Sequence, residues 1–91
     1  MKIQQTGSFR RKVKKFTPDQ KQALDRAVKK IVGTPGIGTM KKGDLALVRV
    51  YKYKAKTLQY LLAYTYDTNS ETITLLAVGP HENFYRDLKN Q

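Results

Sequence analysis

Leu45-Ala46-Leu47-Val48-Arg49-Val50-Tyr51-Lys52-Tyr53-Lys54 is followed, after Ala55-Lys56-Thr57, by a second apolar and aromatic run from Leu58 to Asp67. After Thr68-Asn69-Ser70-Glu71 comes a third, from Thr72 to Gly79. All three are rich in Val, Leu, Ile, Tyr and Thr, residues that suit a pleated, half-buried surface, and the breaks between them are short enough for hairpins. The expected product is a three-stranded antiparallel meander. Alternation along the first run sends Ala46, Val48 and Val50 one way, toward the helices, and sends Leu47, Arg49, Tyr51 and Tyr53 the other. The outer face is then mixed aromatic and basic. Tyrosines interleaved with Arg49, Lys52, Lys54 and Lys56 are what stacked bases and adjacent phosphates require, although tyrosine also enters strands for packing alone.

Upstream of the meander the pattern changes period. Lys2 to Thr6 reads as a weak edge strand ended by Gly7-Ser8. From Ser8 to Phe16 the apolar residues Phe9, Val13 and Phe16 recur at helical spacing, with Arg10, Arg11, Lys12, Lys14 and Lys15 between them. Thr17-Pro18-Asp19-Gln20 then starts a second helix, because Thr17 can cap, Pro18 suits the first helical position and Gln20 can complete a capping box. Its stripe of Leu24, Ala27, Val28 and Ile31 ends at Gly33 and Pro35. Phe9, Val13, Leu24, Val28 and Ile31 are expected to bury against Val48 and Val50. Thr34 to Gly43, with Pro35, Gly36, Gly38 and Gly43, reads as a connecting loop, and Gly36-Ile37-Gly38 lacks the spacing of a phosphate-binding loop. The fold class is α+β: an N-terminal edge strand, a helix hairpin, the meander and a short C-terminal helix.

Ninety-one residues with 40% hydrophobic content make one domain with one core. Eighteen Lys and Arg against seven Asp and Glu leave a net charge of +11. So strong a positive field points to polyanionic partners: nucleic acid first, an acidic protein segment second, an anionic membrane third. Zero cysteines exclude a disulfide framework, and a single histidine argues against a zinc site; no metal or cofactor is expected. No run approaches the roughly 18 apolar residues of a spanning helix, and Met1-Lys2-Ile3-Gln4-Gln5 has no apolar signal core. A cytoplasmic protein without membrane attachment is the expectation.

The most reactive stretch is Gly79-Pro80-His81-Glu82-Asn83-Phe84-Tyr85-Arg86-Asp87-Leu88-Lys89. Pro80 cannot donate to a ladder, so it ends the third strand and releases His81 at the sheet's edge. In a helical tail His81 and Tyr85 share a face while Arg86 points aside. Imidazole, phenol and guanidinium so close together suit acid–base work on a phosphodiester. A histidine after a proline also serves as an exposed turn residue or a cap, and Phe84, Tyr85 and Leu88 also serve as anchors of a terminal helix.

In its order of elements the chain resembles the RelE/ParE superfamily of toxins from bacterial type II toxin–antitoxin modules, over residues 1–91 as a single domain. The likeness is strongest in Gly43-Asp44-Leu45-Ala46-Leu47-Val48-Arg49-Val50-Tyr51, which is similar to the family's strand arginine segment. It is strong again in Leu76-Ala77-Val78-Gly79-Pro80-His81-Glu82-Asn83-Phe84-Tyr85, which resembles the "His, three residues, aromatic" ending of members that cleave mRNA. The resemblance implies a ribosome-dependent mRNA endoribonuclease that inhibits translation and is neutralised by an acidic cognate antitoxin. It leaves the oligomeric state to the antitoxin complex.

Carried over by position, Arg49, His81 and Tyr85 fall where the family's functional residues fall. His81 is assigned to proton transfer, since an imidazole ordinarily titrates near working pH. Arg49, with Lys52 and Lys54, is assigned to the charge that builds on the phosphate. Tyr85 either stacks on a base or assists a proton. Lys56, Arg86, Tyr51 and Tyr53 are further RNA contacts. The segment Gln59-Tyr60-Leu61-Leu62-Ala63-Tyr64 lacks the second arginine common in members, so either Lys52 or Lys54 supplies that charge or the activity differs. Two alternatives remain: a gyrase-poisoning toxin of the ParE type without nuclease activity, and a non-catalytic RNA- or ribosome-binding domain.

Overall fold

The computed structural model describes residues 1–40, 47–81 and 84. Strand β1 (Lys2–Gln5) leads into helix α1 (Gly7–Lys14) and helix α2 (Pro18–Gly33). Strands β2 (Thr39–Met40), β3 (Arg49–Ala55), β4 (Leu58–Asp67) and β5 (Thr72–Pro80) follow. They form one five-stranded sheet in the order β1-β5-β4-β3-β2, antiparallel except where β1 runs parallel to β5. The α+β class, the helix pair and the three long strands are as the sequence led us to expect. Strand β2 is a correction: it lies inside the stretch read as loop, where Thr39 and Met40 pair with Val50 and Arg49. Two residues are too short a run to carry a period. The expected C-terminal helix lies outside the described residues, apart from Phe84.

The helix starts follow from capping. Thr6 closes β1 and caps α1, its hydroxyl accepting from the Phe9 amide at 3.1 Å and donating to the Leu76 carbonyl at 3.2 Å, which seats α1 beside β5. At α2 the anticipated capping box is complete: the Gln20 amide donates to Thr17 Oγ1 and the Thr17 amide to Gln20 Oε1. Each such cap is worth about 1 kcal/mol.

Both faces of the sheet are covered. On the helix side Phe9, Leu24, Ala27 and Ile31 pack on Leu62, Tyr64, Ile73, Leu75 and Val78, with Tyr51 and Tyr53 against them. On the second face Val50, Leu61, Ala63 and Ala77 gather around Phe84, with Val48 and Leu76 alongside. Hence Leu61, Leu62, Ala63 and Tyr64 in the central strand are all buried.

This reverses the expected orientation of β3. Val48 and Val50 turn away from the helices, and Tyr51 and Tyr53 lie beneath them. The physical reason is volume. The helix side takes the large rings, which form a ladder from Tyr51 to Tyr53 (6.5 Å between centroids), on to Tyr60 (5.6 Å) and edge-on to Phe16 (6.2 Å). The smaller valines suit the face closed by Phe84.

A bulge completes the geometry. Tyr64 pairs with Leu75 but Ala63 pairs with Ala77, so Leu76 is the extra residue of β5. Ile73 and Leu75 face the helices before the bulge. Ala77 faces the other way after it.

Candidate functional site

Residues paired across a ladder point to the same side of a sheet. Lys52 pairs with Leu61 and Leu61 with Gly79, whereas Lys54 pairs with Gln59. The His81 amide donates to the Gln59 carbonyl at 3.2 Å, extending that row by one place. Lys52, Lys54 and His81 therefore stand on the second face, at the end of the sheet where β3 and β5 finish. All three are exposed. Among the described residues no carboxylate pairs with them: the one ion pair there joins Lys56 to Asp19.

Arg49 is elsewhere. It begins β3, on the row that holds Tyr64 and Leu75. Five residues of strand and two strand spacings separate it from His81, on the order of 20 Å. It also lies on the helix side. Its Nη1 donates to the carbonyls of Gly38 (3.2 Å) and Gly36 (3.4 Å). Beside it the Tyr64 hydroxyl donates to the Pro35 carbonyl at 2.7 Å and accepts from the Gly38 amide at 2.9 Å. Burial raises the Tyr64 phenol's pKa, while the Gly38 hydrogen bond and the Arg49 charge work against that shift. Only glycine fits at 38, because a Cβ there would meet Tyr64 Oη at 2.8 Å and Arg49 Cβ at 3.1 Å. Arg49 thus clamps the loop between α2 and β2.

The other expected residues separate in the same way. Tyr51 and Tyr53 are half-buried in the aromatic ladder, so the mixed aromatic and basic face divides into tyrosines on one side and lysines on the other. Burial, with Tyr60 nearby, pushes the Tyr53 phenol well above its ordinary value of 10.0; its buried hydroxyl has no hydrogen-bond partner among the described residues. Lys56 sits at the β3–β4 turn with a positive φ of 58°, its ammonium 3.1 Å from Asp19. Tyr85 and Arg86 lie outside the described residues.

One cation was missed. Lys12 of α1 brings its Cε and Nζ within 3.9 Å of where a Cβ on Gly79 would stand. Helical periodicity alone places Lys12 on an exposed flank. Only the docking of α1 on β5 brings it to the sheet end.

A mixed sheet with a helix pair on one face and, at one end of the other, lysines that no described carboxylate pairs defines a strongly basic α+β protein. The chain belongs to the family of ParE-like toxins of type II bacterial toxin-antitoxin systems, whose model it matches over residues 3–89. Membership implies a cognate antitoxin as partner. Comparison with curated proteins gives no match. Among the described residues no helix is long and apolar enough to cross a membrane.

Proposed function

We propose that this toxin is a ribosome-dependent mRNA endoribonuclease acting through the cationic sheet end. The supporting observation is the placement of His81 in the row of Lys54 and Gln59, with Lys52 on the same face. In such a reaction a 2′-hydroxyl oxygen bonds to the adjacent 3′-phosphate, the bond from phosphorus to the 5′-oxygen breaks, and one proton leaves the nucleophile while another joins the leaving oxygen. His81 serves proton transfer, and Lys52 and Lys54 hold the charge on the phosphorane. Arg49, being tied to two carbonyls far from His81, has a structural role in this scheme. An acidic antitoxin segment would neutralise the same field.

The test is single-turnover cleavage of ribosome-bound mRNA. His81→Ala is expected to lower the rate by about a hundred-fold or more and to leave ribosome binding near wild type. A rate within a few-fold of wild type removes His81 from the chemistry.

A second reading is favoured by the matched family's description as ParE-like. A gyrase poison of this fold binds its target and needs no proton-transfer group. Growth arrest with intact mRNA and impaired DNA supercoiling would select it.

A further inference from the structure

The cationic end of the second face is not bounded by the sheet. Strand β1 pairs with β5 only from Thr72 to Leu75, so from Leu76 to Pro80 no strand among the described residues lies on the outer edge of β5. Helix α1 runs along that stretch, tied to the Leu76 carbonyl by Thr6. Its far end reaches the same sheet end as His81, because Phe16 packs edge-on against Tyr60 and Tyr60 pairs with Pro80. Lys12 and Lys15, three residues apart and both exposed, share a flank of this segment. Cations in a last helical turn suit the macrodipole wherever they point. What sets Lys12 apart is its reach to Gly79, whose strand partner Leu61 belongs to the second face.

We infer that Lys12 is a substrate-binding residue of this site: a helix-borne ammonium that holds a backbone phosphate next to the reacting one. The bound strand then leaves the sheet over the edge of β5 beyond Leu75 and continues along α1 toward Lys15. Gly79 is the opening for it, since a bulky side chain there would occupy the space where the Lys12 ammonium stands. The inference rests on the nuclease reading of the cationic sheet end, and extends it from a point to a track with a direction.

The test uses the full chain and a ten-nucleotide single-stranded RNA, 2′-O-methylated throughout so that it binds without being cleaved. Affinity is measured across a salt series for wild type, Lys12→Ala, Lys12→Arg and, as a remote cation, Lys30→Ala in the last turn of α2. Lys12→Ala is expected to bind several-fold more weakly and to lose about 0.7 from the slope of log affinity against log salt, the share of one single-strand phosphate. Lys12→Arg should recover both quantities, and Lys30→Ala should keep them. On cleavable ribosome-bound mRNA, Lys12→Ala should raise the half-saturating concentration and leave the maximal single-turnover rate within about two-fold. If Lys12→Ala matches Lys30→Ala in affinity and slope while wild type binds, the inference about Lys12 is overturned and the site's reading stands. If wild-type binding to the RNA is absent or indifferent to salt, the chain holds no phosphate of its own and the inference about Lys12 is overturned, while the nuclease reading stands or falls with His81→Ala on ribosome-bound mRNA.

Discussion

The two ends of the sheet have opposite economies of polar groups. At the end where β3 begins, the described donors are spoken for: Arg49 serves Gly36 and Gly38, and the Tyr64 hydroxyl both gives and receives a hydrogen bond. At the other end stand Lys52, Lys54, Lys12 and His81, with no carboxylate bonded to any of them among the described residues. A guanidinium satisfied by backbone is a fastener, whereas the ammonium groups, in the function proposed above, serve a partner.

The largest effect on stability should come from undoing the fastener. Tyr64→Phe leaves the buried Gly38 amide without its acceptor and the Pro35 carbonyl without its donor, at a cost of about 1–3 kcal/mol in chemical denaturation. The same experiment on Lys52→Ala with Lys54→Ala should show unchanged or slightly raised stability. A destabilised lysine pair and an indifferent Tyr64→Phe would erase the contrast.

Next in size is Tyr53, whose buried hydroxyl in the ring ladder has no hydrogen-bond partner among the described residues. Its folded-state pKa lies above the unfolded value near 10.0, so the folded form keeps a proton that the unfolded chain releases. Stability is therefore intact below about pH 10 and declines as pH rises beyond it. Tyr53→Phe should match or exceed wild type by up to about 1 kcal/mol at pH 7 and soften the alkaline decline. A clear loss of stability at neutral pH would reveal a partner for that hydroxyl. The smallest effect belongs to the exposed pair of Lys56 and Asp19: Asp19→Asn should cost under about 1 kcal/mol, and still less in molar salt.

Much of this was legible in the chain because it is local. Thr17 and Gln20 announce a helix start within four residues, and the alternation from Arg49 to Lys54 sorts side chains into two sets correctly. Which set meets the helices is not local. β4 is apolar in both phases, so it carries no mark of which face the helices cover, and the rings of Tyr51 and Tyr53 looked like a surface when they are packing. One signal was available: Leu61-Leu62-Ala63 leaves neither face polar, which means that both are covered. The separation of Arg49 from His81 was hidden for a different reason. Positions that look equivalent in a motif carry no distance, and only strand pairing shows that Arg49 and His81 occupy opposite ends.

The extra residue in β5 makes the site a matter of parity. Strands count side chains as odd or even, and Leu76 changes the count midway, so that everything after it answers to the opposite face. Without it, His81 would turn toward the helix layer, away from Lys52 and Lys54, though the chemical groups present would be nearly the same. A deletion of one residue here would thus act as a shift of reading frame acts on a message: the letters survive, and the meaning downstream is lost.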